Sequence, residues 1–459
     1  MFVKNNIFII IISILFFTIT HIIITEFGYN INYFEKNINN FLTPGNLPTL
    51  KEIIFYNDLS INLILFLSIY FLLDKFDPDH GYHLKIIWII KNYCSLFLAM
   101  IYEFYTGLDQ TVYFNMVINN LNYYHHFGDI SRIFDLNNST VNLLFPLRIV
   151  NFIFTDSWFV HKIFYNILYI SIIIISLKIL KKNFPDFKNN ILILYIFAFW
   201  PSLFFFSSFI TKDLLIIFFL TLFFYNVLNF KKTKNKFISI FIISTSLMFI
   251  YSLRDWIFVS IIIGAVIYIL YYFISKKLKN PHLILIMASM LILYLIFYSE
   301  LYSDYHFKIY TSIFERIAWE HENNRNFYDT LFINAGEKEE LIYKYPTAIF
   351  KTIFNPFLDK ITNPKLLLFI FENLLFIILI LISLKNLRNF NNSSLFFLLV
   401  FLTITHAYLP IGYMNSGTTA RYALQAKYPL LLIIIIINKD LLNNLDRKFK
   451  NYFSLKNHL

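Results

Sequence analysis

Cysteine is almost absent from this chain, and so are the features of a modular soluble protein. Cys94 is the single cysteine among 459 residues, so no disulfide can form within one chain. The sequence has no Gly/Ser-rich linker, no internal repeat of about 20–50 residues and no stretch suited to a soluble domain with its own core. These absences argue against a disulfide scaffold, a string of tethered modules and a solenoid.

Apolar residues are what the chain has in abundance. Hydrophobic residues make up 58% and aromatic residues 20% of the sequence, and the mean hydropathy is +0.60. Ile/Phe/Leu runs of membrane-spanning length recur, so we expect the chain to reside in a lipid bilayer. The net charge of +11 would suggest a nucleic-acid partner for a soluble protein. Here the lysines lie in short loops between apolar runs, which predicts no nucleic-acid binding.

The apolar runs predict an all-α, polytopic integral membrane protein. At roughly 17–22 residues per span, about twelve transmembrane helices fit the sequence. The first run, from about Ile7 to about Ile24, follows Lys4 and lacks a small-residue cleavage site, so we expect a retained anchor. The predicted centres lie near Leu15, Phe66, Phe97, Leu168, Phe199, Leu220, Ile243, Val266, Leu291, Ile377, Leu399 and Ile433.

Basic clusters predict the orientation in the membrane. Under strict alternation of the spans they all fall on one side, which the positive-inside rule assigns to the cytoplasm. We therefore expect both termini on the cytoplasmic side of the inner membrane. The clusters comprise Lys178, Lys181, Lys182, Lys188, Lys231, Lys232, Lys234, Lys236, Lys276, Lys277, Lys279, Lys385, Arg388, Arg447, Lys448 and Lys450.

The external side receives the long loops, and this divides the chain. The loops cover about residues 26–58, 106–157 and 301–364, and three very short external turns lie around Lys212, Arg254 and Gly417. Aromatic stretches in the two longer loops, such as Tyr113 to Tyr124 and Pro346 to Phe357, are expected to form helices in the plane of the interface. The predicted divisions are a two-span extension (1–84), a transmembrane core (85–300), the second long loop (301–364) and a C-terminal three-span region with a basic tail (365–459).

Asp109 is the first candidate for chemistry. It lies in the segment Tyr105 to Gln110, directly outside the third predicted span. A carboxylate at a helix end beside a low-dielectric region can accept the proton of a bound hydroxyl as a general base. The alternative is a solvated residue at the end of the helix.

Lys212 and Asp213 lie in a short external turn that follows Pro201, Ser202 and a Ser-Ser pair. Because the next helix begins there, its free N–H groups and positive dipole end can join Lys212 in holding a phosphate, with Asp213 as the counter-charge. The alternative is a helix cap that ends a hairpin.

Arg254 and Asp255 lie in the next external turn. Arginine is costly at membrane depth, so Arg254 either reaches lipid headgroups or faces a polar cavity. Its fork of donors suits a phosphate diester. The alternative is an Arg254–Asp255 turn at the membrane surface.

The last external turn leads to Arg421 and Gln425, which share a helix face, while Lys427 points elsewhere and lies deeper. Two cations entering an apolar helix need an anionic partner. That partner is either a bound ligand or Glu372, which could neutralise one of them. We interpret His406, near the same level, as a packed, hydrogen-bonded residue.

We predict no metal site and no cofactor. The loop after the ninth predicted span carries Glu320, His321 and Glu322. Adjacent residues on a helix do not face one another, so this stretch is a poor ligand set.

Taken together, these motifs resemble those of the GT-C superfamily of polytopic glycosyltransferases, in particular the bacterial relatives of the protein mannosyltransferases and lipid A aminoarabinose transferases. The shared pattern is an acid after a span, a hairpin Phe-x-Pro-Ser…Ser-Ser…Lys-Asp, a Leu-Arg-x-aromatic turn, and Gly-Thr-x-x-Arg-Tyr before the last span. The resemblance covers roughly residues 85–438. Many members pair two acids in the first loop, whereas here Gln110 follows Asp109 and the next acid is Asp129. The matching pieces are Asp109, Phe199 to Asp213, Leu253 to Trp256, and Gly417 to Tyr422.

The resemblance implies transfer of a sugar from a polyprenyl-phosphate carrier to a glycan or lipid acceptor on the outer face of the membrane. Asp109 would deprotonate the acceptor hydroxyl. Lys212, Arg254 and Arg421 would hold the departing lipid phosphate, which needs its charge neutralised. Interfacial segments of the long loops would close over both substrates.

Two other classes stay open. A polymerase of O-antigen or capsular repeat units also has about a dozen spans, long external loops and functional arginines. That role would be filled equally well by Arg254, Arg316, Arg325 and Arg421. A flippase for lipid-linked glycans, or another transporter, needs polar groups along a path through the bilayer. Lys91 and Glu372 are the clear charges within the predicted spans.

Overall fold

The computed structural model describes residues 2–27, 57–98, 131–136, 138–154, 158–187, 190–275, 349–357, 366–408 and 416–456, with short pieces between 113 and 129. Contacts between Cα atoms divide the chain into two compact units. The first unit comprises residues 1–255 and 439–459, and the second comprises residues 256–438. The predicted boundaries at 84, 300 and 364 stay predictions.

The first unit is built from α-helices. They are α1 (Phe2–Phe27), α2 (Asn57–Phe76), α3 (Gly81–Leu98), α4 (Ser139–Phe154), α5 (Trp158–Asn183), α6 (Ile191–Ala198), α7 (Pro201–Phe206), α8 (Lys212–Asn229), α9 (Lys236–Leu253) and, at the end of the chain, α14 (Lys439–Lys456). Short 3-10 turns at Pro185–Phe187 and Phe230–Lys232 follow α5 and α8. The described part also holds one antiparallel pair of two-residue strands, β1 (Tyr123–Tyr124) with β2 (Gly128–Asp129).

Burial distinguishes the central helices of the first unit from the peripheral ones. The apolar part of α5 is 72% buried and that of α8 is 61% buried, whereas α2 and α9 are only 22% and 28% buried. α8 packs against both α5 and α9. The apolar residues that α2 and α9 leave exposed are those that a bilayer would cover.

Polar contacts define two ends of the first unit. At one end, here called the basic end, Lys181 donates to Asp77 and Lys232 donates to the carbonyl oxygen of Lys182. At the other, here called the site end, Lys212 donates to Ser139 and Asn142 donates to the carbonyl oxygen of Ser252. The alternation predicted from sequence separates the same loops into these two groups.

The expected span centred near Phe199 is not one continuous helix. α6 ends at Ala198, and α7 begins at Pro201. Proline lacks an N–H group and disfavours a helical conformation in the residue before it, which is Trp200 with an extended ψ of 117°. The result is a helix interrupted between two apolar segments.

α4 lies within the predicted first external loop, where sequence reasoning did not single it out. Leu143, Leu144 and Leu147 on one face are fully buried in the first unit, while Phe152 is 91% exposed. The helix is thus part of the packed unit along one face. In the second long loop, residues 349–354 are helical, inside the stretch expected to form an interfacial helix.

The second unit contains α10 (Asp255–Ser275, apart from its first residue), α11 (Leu367–Lys385), α12 (Asn392–Ala407) and α13 (Ser416–Ile437). Ile267 and Tyr271 of α10 pack with Leu395 and Leu399 of α12. Gly264 permits a close approach, because a Cβ atom there would lie 3.2 Å from Val400 Cα. The apolar part of α13 is 89% buried and is the most enclosed of the candidate spans described.

The all-α class is confirmed for the described residues, apart from the small strand pair. Seven helices there are long and apolar enough to cross a membrane, namely Leu59–Phe76, Phe159–Asn183, Lys212–Lys232, Lys236–Leu253, Asp255–Phe273, Leu367–Lys385 and Thr419–Ile437. Ile7–Thr20, Ser139–Phe154 and Asn392–Ala407 are shorter apolar helices. The expected span near Leu291 lies outside the described residues, and twelve spans stay a prediction.

Candidate anion-binding site

The site is built around the N-terminus of α8. Thr211 precedes the helix in an extended conformation, with φ −134° and ψ 152°, and its side chain makes no capping hydrogen bond. The first turn of α8 therefore presents N–H groups and the positive end of the helix dipole at Lys212 and Asp213. This is the arrangement that binds phosphates and carboxylates in proteins.

The side chain of Lys212, at the N-terminus of α8, contacts the N-terminus of a second helix, α4. Its Nζ donates to Ser139 Oγ at 2.8 Å and lies 3.4 Å from Thr140 Oγ1, both in the first turn of α4. Asn138 caps α4 by accepting from the backbone N–H groups of Thr140 and Val141, at 3.1 and 3.3 Å. A half-buried ammonium group thus lies at the starts of two helices, where an anion is favoured.

Arg254 forms a buried ion pair with Asp213. The guanidinium Nη2 lies 2.8 Å from Asp213 Oδ1, and the two side chains are 4% and 1% exposed. The alternative partner considered from sequence, Asp255, is exposed at the start of α10. The pair joins the end of α9 to the start of α8 and reduces the net positive charge that Arg254 brings.

Tyr165 is a member of the cluster that sequence reasoning missed. The residue is fully buried in α5, and its hydroxyl interacts electrostatically with the Asp213 carboxylate. Among the described residues this hydroxyl has no hydrogen-bond partner, and neither has the buried Thr211 Oγ1 atom. Buried hydroxyls normally find partners, so the site has capacity to bond a polar ligand.

Two buried lysines lie where α7 ends, and only Lys91 had been noted from sequence. Lys91 Nζ donates to the Phe204 carbonyl and to Ser208 Oγ, each at 2.6 Å. Lys162 Nζ donates to the Ser208 carbonyl at 3.0 Å. The signal that sequence reasoning overlooked is the pair His161-Lys162 in an otherwise apolar run.

A chain of buried polar side chains extends from these lysines. Ser95 Oγ lies 3.2 Å from Ser208 Oγ and 2.9 Å from Asn166 Oδ1. Asn166 in turn donates to Asn92 Oδ1 at 2.9 Å. The interior of the first unit therefore holds a chain of hydrogen-bonded polar groups.

The remaining predicted cations belong to the second unit. Lys427 Nζ lies 2.7 Å from Glu372 Oε1 and 2.6 Å from Asn373 Oδ1, and the two charged side chains are 1% and 0% exposed. Of the two alternatives for Lys427, the structure shows the ion pair with Glu372. Arg421 is half-buried, and its guanidinium lies 5.2 Å from the centre of the Tyr422 ring.

Gln425 is buried in α13 and accepts a hydrogen bond from the Tyr408 hydroxyl. His406 is buried in α12, as expected for a packed residue. Asp109, the expected base, lies outside the described residues, and so does the stretch from Glu320 to Glu322. The structure therefore brings together Lys212, Asp213 and Arg254, and separately Lys427 and Glu372.

A second polar cluster lies at the basic end of the first unit, where Asp77 and His80 follow the candidate span Leu59–Phe76 and Lys181 lies near the end of another. Asp77 is 5% exposed and accepts hydrogen bonds from Lys181, with distances of 3.3 and 3.1 Å to its two oxygens. His80 Nδ1 lies 3.2 Å from Asp77 Oδ2. Burial by itself raises the pKa of the Asp77 carboxyl, but interactions with His80 and Lys181 outweigh it and lower the pKa to about 2.

The chain matches no protein-family model, no curated protein and no solved structure. The class that the observations define is an α-helical protein whose described part has seven helices long and apolar enough to cross a membrane and a cationic cluster at one end of its first unit.

Proposed function

We propose that this chain is a membrane glycosyltransferase. It moves a sugar from a polyprenyl-phosphate-linked donor to a glycan or lipid acceptor on the outer face of the cytoplasmic membrane, with both termini in the cytoplasm. The observation that carries the proposal is the position of Lys212, whose ammonium group lies at the N-termini of both α4 and α8. That arrangement suits a lipid phosphate at the membrane surface.

In this proposal the donor phosphate binds at the start of α8. It accepts hydrogen bonds from Lys212 and from N–H groups of the first turn, and it takes the place of the Ser139 and Thr140 hydroxyls around the ammonium group. The Tyr165 hydroxyl is a further donor within the cluster. Arg254 contributes mainly by holding Asp213, since the two form an ion pair. Arg421 stays a proposed third cation, supported by the motif Gly417 to Tyr422 alone.

The chemical step needs a base and a stabilised leaving group. Asp109 is proposed to take the proton of the acceptor hydroxyl as the hydroxyl oxygen forms its bond to the anomeric carbon. The bond from that carbon to the phosphate oxygen breaks, and the lipid phosphate leaves with the electron pair. A phosphodiester thereby becomes a monoester with one more negative charge. Lys212 and the helix N-termini stabilise that added charge, so they act most strongly in the transition state.

A transporter of lipid-linked glycans is the second candidate, and one observation favours it. Lys91, Ser208, Ser95 and Asn166 form a chain of buried polar groups among apolar helices. A transport path requires such groups. The repeat-unit polymerase remains the alternative enzyme, with the same cations acting on a lipid-linked glycan.

Glycan profiling of cells tests the proposal. One strain lacks the chain, and one carries the wild type. Two further strains carry Asp109→Asn or Lys212→Met. The control strain carries Lys178→Met, which removes an exposed lysine at the other end of the first unit. We expect loss of one sugar in the deletion, in Asp109→Asn and in Lys212→Met, with a normal profile in the control. Collapse of a ladder to a single repeat unit would instead identify a polymerase. An unchanged profile in the deletion would contradict the proposed transfer.

A further inference from the structure

The two buried lysines of the first unit converge on one short segment. Lys91 and Lys162 are 0% and 1% exposed, and they come from different helices, α3 and α5. Lys91 donates to the Phe204 carbonyl in the last turn of α7 and to Ser208 Oγ beyond it, and Lys162 donates to the Ser208 carbonyl. Aromatic rings complete the surroundings, with Lys91 Nζ 4.9 Å from the centre of the Tyr169 ring.

The C-terminal end of α7 is where these donors act. A helix that ends inside the apolar layer leaves carbonyl groups without intrahelical partners, and the bilayer offers no water to satisfy them. Cations are also favoured at the negative, C-terminal end of a helix. Neutral donors already reach the Phe204 carbonyl, since Ser207 Oγ and Ser208 Oγ donate to it at 3.0 and 3.2 Å without bringing a charge out of water. Two lysines in this place therefore do more than fill hydrogen bonds.

The held segment leads directly into the candidate site. Ser208 is followed after two residues by Thr211, whose extended conformation sets where α8 begins. Lys212 is the first residue of α8, and its reach to Ser139 depends on that starting point. A shift of the segment would displace the ammonium group relative to α4.

We propose that Lys91 and Lys162 are positioning residues for the anion site. By bonding Phe204 and Ser208 they lock the segment from Ser207 to Thr211 and so hold Lys212 and the N-terminus of α8 in register with α4. That the anion is a donor phosphate rests on the proposed function. The locking of the segment does not.

The first test measures the segment itself. A single cysteine replaces Thr211 in a Cys94→Ser background, and its labelling by a water-soluble maleimide is followed in the full chain in lipid nanodiscs. We expect Lys91→Met and Lys162→Met to speed labelling by about tenfold, as for a local opening that becomes easier by ~1.4 kcal/mol. The matched control is Lys178→Met, an exposed lysine of the same helix as Lys162. Equal labelling rates in all variants would overturn the proposal.

The second test measures the site, at a temperature where every variant is folded. The probe is farnesyl phosphate, and we expect Lys91→Met and Lys162→Met to weaken its binding by about tenfold, since small displacements of a charged ligand group carry costs of this size. If Lys212→Met leaves the affinity unchanged, the proposed donor site is wrong, while the labelling result still decides the positioning role.

If the Lys91 and Lys162 variants fail to fold, Ser208→Ala replaces them in the labelling test, since it removes one acceptor of Lys91. Faster labelling in Ser208→Ala supports the proposal, and unchanged labelling contradicts it.

Discussion

Arg254 and Asp213 form an ion pair with an N–O distance of 2.8 Å between the end of one helix and the start of another, and both side chains are almost completely buried. Each residue on its own would be a costly buried charge. Their pairing makes the start of α8 a fixed structure rather than a mobile turn. It also leaves Lys212 as the cation of the cluster best placed to meet a ligand.

The Arg254–Asp213 ion pair can be tested by comparing the stabilities of single and double variants. Arg254→Met should lower the free energy of unfolding by about 3 kcal/mol or more, because it leaves the Asp213 carboxylate buried without its guanidinium partner. The double variant Arg254→Met/Asp213→Leu should recover most of that loss, since no charge remains buried. Thermal denaturation in detergent measures both. Asp255→Asn is the control and should change stability by less than about 1 kcal/mol, because that carboxylate is exposed. A double variant no more stable than Arg254→Met would contradict the assignment.

Gly264 predicts a steric limit in the second unit. A Cβ atom at this position would lie 3.2 Å from Val400 Cα, Val400 Cγ2 and Thr403 Oγ1. We expect Gly264→Ala to cost about 1–3 kcal/mol and Gly264→Leu to cost more, because α10 and α12 would have to separate. Val266→Leu, at a position 48% exposed, is the matched control and should be nearly neutral. Melting temperatures that are equal for Gly264→Leu and the control would show that the helices do not approach this closely.

Asp77 predicts an acid-dependent stability. Its pKa in the folded protein is about 2, below the value near 4 expected for an unfolded chain. A depressed carboxylate pKa stabilises the folded state fully above the unfolded value, and this stabilisation is lost as the pH falls from about 4 to about 2. Melting temperatures across that range should therefore fall more steeply for the wild type than for Asp77→Asn. Asp186→Asn, whose side chain is 55% exposed and pairs with Lys439 instead of Lys181, serves as the control and should retain the wild-type slope. Parallel slopes for all three proteins would refute the role of Asp77.

The contacts of Asp446 predict that the C-terminal helix α14 stabilises the start of α6. Its Oδ1 accepts from the backbone N–H groups of Ile191 and Leu192, at 2.8 and 3.0 Å, and so caps α6 from a distant part of the chain. Asp446→Ala should cost about 1–2 kcal/mol, the usual loss for a helix cap. Asn444→Ala, an exposed position of the same helix, should change little. Equal stability of the two variants would mean that α14 does not support α6.

The helical class and the alternation of the two ends could be predicted because they depend on local apolar periodicity and on charges in short turns. The cap at Ile191 could not, because its acceptor is Asp446, far away in sequence. The partner of Arg254 could not be predicted either, because Asp255 is the nearest acid in sequence whereas the ion pair is formed with Asp213. Lys162 was missed because one charge barely alters the hydropathy of a long apolar run, although that charge is what marks it. The pairing of Lys427 with Glu372 was foreseen as one of two alternatives, and it took the three-dimensional packing to choose between them.

Binding of a short polyprenyl phosphate to the purified full-length protein tests the central claim most directly. Farnesyl phosphate is titrated against the wild type, Lys212→Met and the control Lys178→Met in lipid nanodiscs. The account predicts a loss of at least about tenfold in affinity for Lys212→Met, as expected when a hydrogen bond to a charged group is removed, and an unchanged affinity for the control. Equal affinities for the wild type and Lys212→Met would contradict the claim that the start of α8 holds the donor phosphate.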